Sequence, residues 1–148
     1  MTAGVLVSAG CGSSDDASSD VSPPPTSAKA SASPPAPSVS PSDGTKLAAC
    51  ADGKCEVRVG PGARIPVPRR MKVHSVRVQS VSAADVTIVG RYTGDSVSNM
   101  GSGNYSFETD KGKFKLTMGL NSWAAQNDFA VAVVAIHGGF AVLRMPPA

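Results

Sequence analysis

The chain has 148 residues with 14 Lys and Arg against 11 Asp and Glu, and its surplus charge is concentrated: positions 46 to 148 hold 13 basic and 7 acidic side chains, a net of +6. Positions 12 to 45 contain 11 Ser, 7 Pro and 5 Ala, which leaves about one hundred residues for a core, enough for one small domain and too few for most multi-domain enzymes. No apolar run approaches the ~18 residues of a membrane-crossing helix, and all 7 aromatic residues lie from Tyr92 onward.

In chain order, Val5-Leu6-Val7 followed by the small residues Ser8, Ala9 and Gly10 before Cys11 has the pattern of an export signal ending at its cleavage site, and the basic segment that opens such signals is expected upstream of this start. Ser8-Ala9-Gly10-Cys11 resembles a bacterial lipobox, with Ser8 standing where the motif usually has Leu or Val. The resemblance implies that Cys11 receives a diacylglycerol and becomes the mature N-terminus. Residues 1–11 are thus expected to be a signal remnant. Residues 12–45, with Pro23-Pro24-Pro25, Pro34-Pro35, Pro37 and Pro41 among Ser and Ala, cannot bury enough apolar surface to offset chain entropy and are expected to form a disordered tether.

Residues 46–148 read as strands. Cys50-Ala51-Asp52-Gly53-Lys54-Cys55 sets Asp-Gly midway between two cysteines. A tight hairpin there pairs Cys50 with Cys55 and turns the sulfurs toward each other. In an exported protein that pair is expected to be a disulfide. Cys55, Val57 and Val59 alternate with Glu56 and Arg58, the period of a half-buried strand. Ile65 and Val67, alternating with Pro66 and Pro68, suit an edge strand or extended loop. Over 73–80, Val76 and Val78 are expected inward and Val73, Ser75, Arg77 and Gln79 outward, and 85–92 is a further strand. Residues 93–104 read as a long surface loop. Residues 105–109 and 113–118 form a hairpin across Asp110-Lys111-Gly112, with Phe114, Leu116 and Met118 on one face and Lys113 and Lys115 on the other. A single helical turn is expected within 121–128. Residues 129–136, almost wholly apolar, turn at Gly138-Gly139 into 140–143, and a strand apolar on both faces belongs mid-sheet. The sum is an all-β fold, a small antiparallel β-sandwich or barrel.

Cys50-x4-Cys55-Glu56-Val57, Ile65-Pro66 and a Gly-Gly hairpin ending Ala141-Val142-Leu143-Arg144-Met145 together resemble a small β domain of actinobacterial exported proteins and lipoproteins. The resemblance covers roughly residues 47 to 145. It implies an extracytoplasmic address and a β fold, and it assigns no activity to any residue.

Candidate chemistry is sparse. His74 and His137 are the only conventional bases in the domain and neither sits in a recognisable motif. The acidic residues Asp52, Glu56, Asp85, Asp95, Glu108, Asp110 and Asp128 are scattered, so no paired-carboxylate site is supported. No metal-binding or phosphate-cradling motif stands out, and no cofactor is expected. The one surface of note is basic: Arg58, Arg64, Arg69, Arg70, Lys72, His74 and Arg77 fall within twenty residues. Pro66 and Pro68 are expected to hold Arg69, Arg70 and Lys72 extended and exposed. Alternation along a strand argues against one patch, because it sends neighbouring side chains to opposite faces. The expectation is a noncatalytic, membrane-tethered domain outside the cytoplasm that binds an envelope component, most simply a protein, through a strand edge or the 93–104 loop. The alternative is an anion-binding module for lipid headgroups or wall polymers using Arg64, Arg69, Arg70, Lys72 and Arg77. Nucleic acid is not an expected partner there.

Overall fold

Alternating apolar and polar residues, with short turn signals between them, build most of the strands of the domain. The computed structural model describes residues 39–94 and 98–145. The expected signal remnant with Cys11 and most of the expected tether lie outside the described residues.

Among the described residues nine strands form in order: β1 (Cys55–Val59), β2 (Val73–Val81), β3 (Asp85–Tyr92), β4 (Asn99–Ser102), β5 (Tyr105–Asp110), β6 (Lys113–Gly119), β7 (Trp123–Gln126), β8 (Phe129–His137) and β9 (Phe140–Met145). They make two antiparallel sheets, β1-β9-β8-β7-β4 and β2-β3-β6-β5. The expected all-β architecture is the one formed. Alternation places Val57 and Val59 of β1, Val76 and Val78 of β2, Ile88 of β3, Leu116 and Met118 of β6, Val131 and Val133 of β8 and Leu143 of β9 in one shared core. Phe114 of β6 joins the sheets, its ring centroid 6.5 Å from Phe107 of β5 and 6.4 Å from Phe129 of β8. Opposite that ring the backbone must be bare: a Cβ on Gly90 of β3 would stand 2.6 Å from two Phe114 ring carbons. β8 occupies the middle of its sheet as its apolar run suggested, although Ala130, Ala132 and Val134 on its outer side stay half-exposed.

Several local expectations are corrected. The cysteines do form a disulfide, with Sγ atoms 2.09 Å apart, but not across a hairpin. Cys50 lies in a 3-10 helix, Leu47–Asp52, ended by Gly53 at φ 88°, and Lys54 N donates to Asp52 Oδ1 at 2.8 Å. The Asp side chain satisfies the backbone locally, so the chain winds into a helical turn before β1 begins. The expected loop 93–104 contains β4, which pairs with β7 from Asn99↔Gln126 to Ser102↔Trp123. In place of a helical turn within 121–128 there is β7, because pairing on both sides, to β4 and β8, outweighs any local helical preference. Val73 is buried at 3 % exposure rather than outward. Ser75, at φ 55°, sits in a bulge of β2, where the register steps from His74↔Arg91 to Arg77↔Val89.

Two sheet edges are covered by the chain itself, which blunts edge-to-edge pairing. Along β1, Asp43 N donates to Glu56 O and Arg58 N to Gly44 O. Asp43 Oδ2 also accepts from Glu56 N at 2.9 Å. Along β2, Ala63–Ile65 runs alongside: Ile65 N donates to Val76 O and Val78 N to Ala63 O, with Arg64 bridging Arg77. Ile65 pairs along the β2 edge and 66–68 continues outside any strand, within the expected edge strand or extended loop.

Candidate anion-binding groove

The bulge in β2 decides which charges meet. In an unbroken strand, residues three apart face opposite sides. The extra residue between His74 and Arg77 restores the phase, so Val73, Val76 and Val78 are all buried while His74 and Arg77 are both exposed. Cross-strand pairing then extends two rows over the outer face of the four-stranded sheet. The first runs Arg64, Arg77, Val89, Lys115, Glu108, and the second His74, Arg91, Lys113, Asp110. Strands stand ~4.8 Å apart and successive outward residues ~6.7 Å apart along a strand. Five cations thus share a patch only a few strand spacings wide.

This patch lines a half-open groove of about 990 Å³. Arg64, Arg77, Arg91, Lys113 and Lys115 line it together with Glu108 and Asp110, a balance of five positive charges against two negative. Arg64, Arg77, Arg91 and Lys113 are exposed and Lys115 is half-buried. Lys115 Nζ lies 3.4 Å from Glu108 Oε1, an exposed pair whose partial neutralisation leaves the three arginines dominant. Leu47 and Ala48 from the 3-10 helix and Pro66 from the covering segment form uncharged wall, and half-buried Val89 lies mid-row.

The linear basic cluster of the sequence is divided in space. Arg64, His74 and Arg77 come to the groove face. Arg58 lies on the other sheet, its guanidinium carbon 4.9 Å from the Phe140 ring centroid. Arg69 and Arg70 are not extended: with Met71 they form a second 3-10 turn that ends at Lys72 in the left-handed conformation. Burial of Met71 at 2 % exposure pulls the segment inward, and Arg70 Nη2 donates to the Asp52 carbonyl. Lys72 faces a separate concavity with Thr93, Gly94, Ser98 and Asn127, and its carbonyl accepts from Thr93 N at 2.9 Å. Arg91, Lys113 and Lys115 were missing from the sequence-based set. The alternation of β6 placed both lysines on one outward face, but nothing in the linear order showed that β6 pairs with β3.

Other chemistry stays dispersed. His74 and His137 are exposed and belong to different sheets, and the His137 ring meets Phe140 edge-on at 5.9 Å. Glu56 is engaged by Arg144, 2.6 Å away across β1 and β9. Among the described residues, no three His, Cys, Asp or Glu side chains gather where they could hold a metal ion. No family model, curated protein or solved structure matches the chain.

Proposed function

We propose that this chain is a noncatalytic domain, lipid-anchored through Cys11 outside the cytoplasm, that holds an anionic component of the cell envelope in the groove of its four-stranded sheet. The observation that carries the reading is the convergence of Arg64, Arg77, Arg91, Lys113 and Lys115, drawn from separate segments, on one concave face with two carboxylates. A concave site with a surplus of one sign of charge attracts a counter-charged ligand over distances limited by the Debye length. The lipobox-like Ser8-Ala9-Gly10-Cys11 and the Cys50–Cys55 disulfide support an oxidising address outside the cytoplasm. The resemblance to exported actinobacterial β domains agrees with it.

Cosedimentation of the full chain carrying Cys11→Ser, so that no lipid anchor holds it, with vesicles containing phosphatidylglycerol, against vesicles of phosphatidylcholine, tests the proposal. Retention on the anionic vesicles at low salt and its loss at high salt are expected, and equal retention on both would refute it.

A second reading, contact with an envelope protein, rests on the other sheet. There Met100 of edge strand β4 and Trp123 of β7 are 60 % and 41 % exposed, beside the half-exposed Ala130 and Ala132. A Trp123→Ser variant that loses a crosslinked partner but keeps vesicle binding would favour it.

A further inference from the structure

We infer that the groove takes an anionic amphiphile, one phosphate- or carboxylate-bearing headgroup carrying an aliphatic chain, rather than a bare anion or an extended polyanion; this rests on the anion-binding reading above. Three observations favour that class. The groove, at about 990 Å³, is far larger than an inorganic anion needs and lies at the upper end of small-molecule sites.

Its charge is also laid out unevenly. Following the pairing across the sheet, the row passes from the uncharged wall near Arg64, through Arg77, to the aliphatic Val89, then Lys115, and stops at Glu108, with Asp110 ending the neighbouring row. A polyanion running across the strands would meet those two carboxylates at the β5 edge. A single headgroup seated between Arg77 of β2 and Arg91 of β3 would stand at least two strands away from them.

Thirdly, apolar surface adjoins the cations. Val89, Leu47 and Pro66 are each half-buried within the lining, and the stems of Arg64 and Arg77 extend apolar cover while their heads stay wet. A chain leaving the headgroup toward Leu47 and Pro66 would run along the aliphatic stems of Arg77 and Arg64 before reaching uncharged wall. The disulfide-held 3-10 helix that carries Leu47 makes that wall part of the fixed fold.

The test is calorimetric titration of the full chain with glycerol 3-phosphate, with octyl, decyl and dodecyl phosphate below their micelle concentrations, and with dodecyl maltoside. Affinity is expected to rise about fourfold for each methylene that leaves water and to level off once the groove is filled. Dodecyl maltoside, with the same tail and no charge, is expected to bind at least about tenfold more weakly than dodecyl phosphate. A Leu47→Ser variant should lose affinity for dodecyl phosphate severalfold while keeping that for glycerol 3-phosphate, with an unchanged circular dichroism spectrum as the folding control. Equal affinity for glycerol 3-phosphate and dodecyl phosphate would overturn the amphiphile inference and leave the anion-binding reading standing. Equal affinity for dodecyl phosphate and dodecyl maltoside would overturn the anion-binding reading itself, and binding of no probe would overturn both.

Discussion

Opening the Cys50–Cys55 disulfide perturbs stability and groove together, because the bond ties the 3-10 helix bearing Leu47 and Ala48 to the start of β1. Its residues are five apart in sequence, and the chain-entropy relation assigns so short a loop about 2 kcal/mol at 25 °C. Both cysteines are buried, at 0 % and 7 % exposure, so a Cys50→Ala/Cys55→Ala variant also loses packing around each removed sulfur, on the order of 1 kcal/mol. A total near 3 kcal/mol lowers the unfolding midpoint of a domain this size by roughly 12 °C or more. Thermal unfolding followed by circular dichroism, for the oxidised protein, the reduced protein and the double variant, measures it. Reduction alone should reproduce most of the entropic part, and the double variant should bind anionic vesicles less well at temperatures where it remains folded. A shift of no more than about 2 °C in both would show that the 3-10 helix holds its place without the bond and refute the reasoning.

Gly90→Ala should destabilise by about 1 to 3 kcal/mol in urea, since the new Cβ meets the Phe114 ring at 2.6 Å between two packed sheets; a Gly90→Ala/Phe114→Leu pair should recover part of that loss. Gln126 is 1 % exposed and neither side-chain polar atom finds a hydrogen-bond partner, so Gln126→Met should raise stability by about 1 kcal/mol or more, measured by the urea midpoint. Asp43→Ala removes the acceptor of the Glu56 N–H at 2.9 Å and should cost about 1 kcal/mol, with faster amide exchange at Glu56 as the local signature. Arg144→Ala, by contrast, breaks a pair whose Arg side chain is 56 % exposed and should change the midpoint only slightly, by less still at high salt.

Much of the fold is legible in the residues because period and turn chemistry agree. Lys113 to Met118 alternates polar and apolar residues without a break, and β6 follows it. Gly138-Gly139 supplies the two positive φ values of its turn, 57° and 80°, and the β8–β9 hairpin forms there. The failures share one cause, competition between local signals and distant partners. Asp52-Gly53 is a strong hairpin signal, yet Asp52 Oδ1 accepts from Lys54 N and the same dipeptide instead ends a helical turn. Trp123 to Gln126 has no strand periodicity of its own and becomes a strand because β4 and β8 pair with it from both sides.

The candidate site was half legible for a related reason. Arg64 and Arg77 sit close in the chain and stay together through the covering segment. Alternation argued against them joining His74, and a bulge at Ser75, visible in no residue pattern, reverses that argument. Arg91, Lys113 and Lys115 enter through the β2-β3-β6 pairing, a long-range fact. Arg69 and Arg70, nearest the centre of the linear cluster, are drawn off by Met71 burial and by the Asp52 carbonyl.

The central claim is that the groove, and not the linear cluster, attracts anions. Comparing vesicle binding of Arg77→Glu/Arg91→Glu with that of Arg69→Glu/Arg70→Glu tests it directly, since each pair changes the net charge by the same amount. Binding abolished by the first pair and largely kept by the second is the predicted result. Equal loss in both would mean that only net charge matters, and loss confined to the Arg69 and Arg70 pair would move the site to the turn before β2.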